Sequence, residues 1–175
     1  MKKNIAIILL LCFIFMTSCK MIQFDFLNRE YDPASISADD YPFAKKTALE
    51  VIRCLDNKDA QGLKSLLSES VLLQADIDNQ IEELFELYKG QSLSHNEIEQ
   101  EIAASSSNEG RYIYKSIRIT VRNLIIDTDT NKKYILDLYY VLVDNEYPLR
   151  VGLSEIIFKD SKGYPLLKLF EEKDS

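Results

Sequence analysis

A chain of 175 residues with 46% hydrophobic content is long enough for one domain with a real core. Its 28 Asp and Glu outnumber 21 Lys and Arg, and the resulting charge of −7 repels phosphate backbones and anionic headgroups. That balance argues against nucleic acid as a partner and against electrostatic membrane binding.

The first element is a leader. Lys2 and Lys3 precede an apolar run from Ile5 to Phe15, and Met16-Thr17-Ser18-Cys19 closes it with small residues before a cysteine. A positive start, a short greasy stretch and a small-residue cut site are the marks of a signal peptide. The run falls short of the roughly 20 residues that span a bilayer. Met16 to Cys19 resembles the lipobox of bacterial lipoproteins, with Met16 where the usual motif has Leu. The resemblance implies cleavage before Cys19, a diacylglyceryl thioether on Cys19 with palmitate among its acyl groups, and an extracytoplasmic, membrane-anchored protein. Two acyl chains together anchor stably because each buried methylene contributes about 0.8 kcal/mol. Cys12 leaves with residues 1–18 and Cys19 takes the lipid, so Cys54 has no cysteine to pair with. It is expected to be a buried, inert thiol on a helix.

Residues 19–40 read as the lipidated cysteine and a tether, turn-rich at Tyr31-Asp-Pro-Ala-Ser, and 41–173 as one domain. Asp39-Asp40-Tyr41-Pro42 opens a helix, since acidic residues favour the N-terminal end of the dipole and proline is tolerated in the first turn. Phe43, Ala44, Thr47, Ala48, Val51, Ile52 and Leu55 recur at helical spacing. Asp59 caps a short second helix carrying Leu63, Leu66 and Leu67, which Ser68-Glu69-Ser70 stops. A third helix is expected from Val71 to Lys89, with Ile77, Ile81, Leu84, Phe85 and Tyr88 inward and Gly90 as its cap. Gln91 to Asn96 reads as a strand, Asn96 to Ile102 as a helical turn or an edge strand, and Ser105 to Gly110 as a flexible loop. The period then changes to two. Ile117, Ile119 and Val121 alternate with Arg118, Thr120 and Arg122 in a strand over 111–126. Tyr134 to Val143 is the central strand, apolar on both faces, followed by strands over Arg150–Lys159 and Tyr164–Phe170. Short turns between them favour an antiparallel meander, and helices followed by strands make an α+β domain.

Three helices followed by a curved antiparallel sheet resemble the nuclear transport factor 2-like, or cystatin-like, cone. More narrowly, the chain resembles a family of bacterial lipoproteins known as a domain of unknown function. The stretches that carry this are Ala48-Leu-Glu-Val-Ile-Arg-Cys-Leu-Asp-Asn-Lys-Asp-Ala, Ile81-Glu-Glu-Leu-Phe, Tyr134-Ile-Leu-Asp-Leu-Tyr-Tyr-Val-Leu-Val and Arg150-Val-Gly-Leu-Ser-Glu-Ile-Ile-Phe. The resemblance implies a pocket between the helices and the concave sheet face. Enzymes of this fold use that pocket for small hydrophobic ligands, with a buried Asp or His and often a Tyr.

Asp137, Tyr139, Tyr140 and Glu155 are the candidate ligand-binding residues. Asp137 shares a face with Tyr139, whereas Tyr140 points the other way. A carboxyl raised by an apolar wall would serve as a base; the alternative is an Asp137 that faces solvent or bonds Arg118, Arg122 or Arg150 on neighbouring strands. His95 stands alone in a polar stretch, with no second histidine or spaced cysteine for a metal. Asp127-Thr-Asp-Thr-Asn131 mimics a calcium loop but has Lys132 where the turn needs Gly and Leu138 where a bidentate Glu belongs, so it reads as a hairpin turn. No metal or cofactor is expected. The leading expectation is a lipid-anchored envelope domain that binds a small ligand or partner protein without chemistry. The alternatives are an isomerase- or hydratase-type enzyme using Asp137 or Glu155, and a cystatin-type inhibitor, which would need an exposed apolar hairpin or an N-terminal wedge.

Overall fold

The computed structural model describes residues 31–35, 39–88, 91–92, 97–126 and 132–170. The chain divides into two compact units, 1–32 and 33–175, and the elements described below all belong to the second. Cys19, His95 and the Asp127–Asn131 turn, named above, lie outside the described residues.

Helix α1, Tyr41–Asn57, starts where the Asp-Asp-Tyr-Pro signal puts it. Asp39 accepts from the Tyr41 N–H at 3.0 Å. Asp40 does not cap. Its carboxylate instead meets Lys115 Nζ at 2.6 Å, both side chains being buried, and so ties the start of the helix to the sheet. Ala44, Thr47, Ala48, Val51, Ile52, Cys54 and Leu55 form the inward stripe. The helix ends at Lys58, whose φ of 53° is left-handed and lets the Asp59 N–H reach the Cys54 carbonyl at 2.8 Å. Asp59 then caps α2, Ala60–Lys64, accepting from the Gly62 N–H at 2.8 Å.

The single helix expected over Val71–Lys89 is two. Ser68, read as part of a stop, is extended and caps a four-residue helix α3, Glu69–Leu72. After a turn comes α4, Ile77–Leu87. The break has a visible result: Leu73, whose spacing would put it on the stripe of Ile77, Ile81 and Leu84 in an unbroken helix, is instead 73% exposed.

Five strands follow as an antiparallel meander in the order β1-β2-β3-β4-β5. They are Glu97–Asn108, Arg111–Ile125, Lys133–Asp144, Gly152–Asp160 and Pro165–Leu169. Of the two readings of Asn96–Ile102, the edge strand is the one formed. It also runs on through the serines expected to be a flexible loop, because Glu109 (φ 48°) and Gly110 (φ 78°) make a two-residue turn with both angles positive. That turn matches the twist of paired strands, so Ser106 and Ser107 lie opposite Tyr114 and Tyr112. Register shifts in every pair bend the strands into a curved, open sheet. Ala34 and Ser35, in the stretch read as tether, also pair with β2 at Tyr112 and Arg111.

Helices and sheet share one core. Ile117, Ile119, Val121, Leu136, Leu138, Leu153, Ile156 and Phe158, aligned across β2–β4, are at most 1% exposed and meet the inward stripes of the helices. Phe43 packs edge-on against Tyr140, with ring centroids 5.0 Å apart. Two longer-range joints close the layers. The Leu153 N–H donates to the Leu66 carbonyl at 2.9 Å and the Ser68 N–H to the Leu153 carbonyl at 3.0 Å, so 66–68 lies parallel against the start of β4. Gly152 allows this: its φ is +134°, and a Cβ there would stand 2.7 Å from the Ser68 backbone.

Candidate functional site

The register of β2, β3 and β4 decides where the four candidate residues go. Tyr140 lies opposite Ile117 and Leu153 and faces the helices. Asp137 lies opposite Thr120 and Ile157, and Tyr139 opposite Arg118 and Glu155. Because neighbours along a strand alternate faces, Asp137, Tyr139 and Glu155 share the side away from the helices. The fold thus brings three candidates together and separates the fourth from them.

Asp137 is 0% exposed and fully engaged. Arg118 Nη2 donates to Oδ2 at 2.6 Å, Lys159 Nζ donates to the same oxygen, and Thr120 Oγ1 donates to Oδ1 at 2.8 Å. Burial pushes the Asp137 carboxyl up, but the hydrogen bonds from Lys159, Arg118 and Thr120 outweigh it, so its pKa lies below the ordinary value. The bond to Asp137 likewise raises Arg118. Arg118 continues outward to Glu101 Oε1 at 3.3 Å, with its guanidinium 5.8 Å from the Tyr139 ring. Glu155 holds Lys168 at 2.8 Å on the next strand. The result is a strap of alternating charges across β1–β5 in which each carboxylate already has a cation.

Of the partners the sequence suggests for Asp137, Arg118 is present. Arg122 instead bonds Glu99 at 3.0 Å, and the Arg150 guanidinium stacks on Tyr147 at 4.5 Å. Thr120 and Lys159 were missed. Thr120 sits directly across and Lys159 diagonally across β3, which becomes visible only once the register is known.

Two polar assemblies had no signal in residue spacing. Asp56 accepts from the Tyr88 hydroxyl, the Ser92 N–H and the Ser92 hydroxyl, each at 2.7 Å, and pins the chain after α4 to the end of α1. Burial and that carboxylate push the Tyr88 phenol far up. Lys58 donates to the Phe85 and Tyr88 carbonyls, satisfying the end of α4 with a cation where the dipole is negative. Cys54 is buried and its thiol is pushed up to about 11, chiefly by burial. Among the described residues no three His, Cys, Asp or Glu cluster as a metal site. No helix among them is long and apolar enough to cross a membrane.

One open cavity of about 1020 Å³ lies on the helix side of the sheet's last strand, lined by Lys58, Glu83, Phe85, Glu86, Leu87, Leu166 and Leu167. Its walls are the end of α4 and β5.

Residues 50–162, more than half of the chain, match the family described as a domain of unknown function, DUF5104. The chain belongs to that family. The DUF5104 match runs from within α1 to the turn after β4, so it contains the Asp137 cluster and α4 but stops before β5. No curated protein matches the chain.

Proposed function

We propose that this DUF5104 protein is a lipid-anchored, extracytoplasmic domain that binds a partner protein or small ligand without catalysing a reaction, on a scaffold of the nuclear transport factor 2-like type. The observation that carries the non-catalytic reading is the state of Asp137. A general base needs a carboxyl whose pKa lies near the working pH and an oxygen free to take a proton. Asp137 has a lowered pKa and both oxygens engaged by Arg118, Lys159 and Thr120. Glu155, the second candidate, is held by Lys168. The scaffold reading rests on helices covering one face of a curved five-stranded meander.

A carbon-detected NMR titration of the Asp137 carboxyl tests the chemistry. Titration below about 3.9, the ordinary Asp value, is the expected result. A midpoint above neutrality would favour the isomerase or hydratase alternative. Anchoring is tested by mass spectrometry of the N-terminal peptide and by membrane fractionation. Cys19→Ser should abolish the lipid mass and release the protein or leave it unprocessed, whereas Cys54→Ser should leave anchoring unchanged. Equal membrane retention of wild type and Cys19→Ser, with no lipid on either, would overturn the address.

A further inference from the structure

The cavity beside β5 joins three properties. First, β5 is an edge: among the described strands it pairs with β4 alone. An unpaired strand edge presents N–H and C=O groups to any extended segment laid beside it. Second, the wall is apolar and accessible. Leu166 is 46% and Leu87 38% exposed, and Phe85 and Leu167 lie behind them. Third, the available charge is negative. Glu83 and Glu86 are exposed and carry no ion pair among the described residues, and they outnumber Lys58, whose ammonium is turned to the Phe85 and Tyr88 carbonyls.

We infer that the groove between α4 and β5 receives an extended peptide of a partner protein, added alongside β5 as a further strand, with apolar side chains on Phe85, Leu87 and Leu166 and a Lys or Arg against Glu83 and Glu86. This rests on the binding reading above and gives it a place and a ligand class. The occupant is a strand rather than a small molecule for two reasons. The cavity is open, whereas small-molecule pockets enclose most of their ligand. A strand edge also supplies main-chain pairing that does not depend on enclosure. The five residues of β5 match a peptide of about five residues, since both rise near 3.3 Å per residue. Pro165 has no N–H to offer, and N–H groups alternate between the two edges of a strand, so pairing falls to those residues after Pro165 whose amides face away from β4. The basic requirement follows from charge complementarity, which selects partners as much as it adds affinity.

The test pans a random seven-residue phage-displayed library against the full-length protein in detergent micelles. The expected winners alternate apolar residues with Lys or Arg. Synthetic copies should lose at least tenfold in affinity, by fluorescence anisotropy, against Leu166→Arg and against Glu83→Lys/Glu86→Lys. Both changes alter exposed side chains, and urea melts check that each variant is folded. Hydrogen exchange at the β5 amides that face away from β4 should slow when peptide is bound. Winners that bind both variants like wild type, or that leave β5 exchange unchanged, overturn the groove but leave a binding domain with its site elsewhere. Acidic winners, or no enrichment, likewise overturn the groove. An Asp137 carboxyl titrating above neutrality overturns the underlying binding reading instead.

Discussion

On the helix side of β3, Leu136 and Leu138 are fully buried among Ile119, Val121, Ile156 and Phe158. On the other side, Asp137 is equally buried but is held by Arg118, Lys159 and Thr120. The same strand is therefore fixed by two kinds of physics. Apolar packing on the first face is insensitive to pH and direction. The polar face holds only while one carboxylate stays ionised and its donors stay aligned. A buried carboxylate without cations would be driven to its neutral form, so the strap is what permits an aspartate in a central strand.

Leu138→Ala should produce the largest loss, about 2–5 kcal/mol in urea melts, because it empties a site at the middle of the core. A negligible shift would mean that the helix-facing side does not hold the strand. Asp137→Asn should cost about 1.5–3 kcal/mol, the range for hydrogen bonds to a charged group, towards the lower end because Arg118 and Lys159 keep some solvent. Its pH dependence sharpens the contrast. The folded pKa is depressed, so this stability is present above the unfolded value of about 3.9 and is lost as pH falls through the folded one. Wild type should lose stability on acidification more steeply than Asp137→Asn, and parallel curves would contradict the assignment. Glu155→Gln, which cuts the more exposed pair with Lys168, should cost at most about 1 kcal/mol. The smallest change is expected at Cys54. With its thiol pushed up to about 11 and buried, it should resist a thiol reagent at neutral pH until urea unfolds the domain, and immediate labelling would place it at the surface.

Period and capping residues made most of the architecture legible. Asp39, Tyr41-Pro42, Asp59 and the Ile117-Ile119-Val121 alternation act within a few residues of themselves, and α1, α2 and β2 fall close to where those signals put them. Ser68 misled because the same serine can end one helix or cap the next, and the choice is made by Leu153, 85 residues further on. The 105–110 segment misled because serine runs look polar and loose, whereas the Glu109-Gly110 turn and pairing to Tyr112 and Tyr114 impose a strand. At the candidate site, alternation correctly separated Tyr140 from Asp137 and Tyr139. Thr120 and Lys159 stayed hidden because cross-strand register depends on bulges that no local pattern announces.

The parallel joint between Leu66–Ser68 and Leu153 bears on the order in which this chain can fold. The helices come first along the sequence, yet the backbone partners of Leu66 and Ser68 lie in the fourth strand, and Gln80 waits for the N–H of Phe170 after the fifth. A chain emerging from its N-terminus therefore cannot finish its helical layer until nearly all of it has arrived. Contacts of such long sequence separation fold slowly, because loop closure precedes the gain. In pulsed hydrogen-exchange refolding, the Ser68 and Leu153 amides should become protected together, after those inside α1. A chain with that habit stays open for longer, and an open chain is the form that can be threaded through a narrow passage.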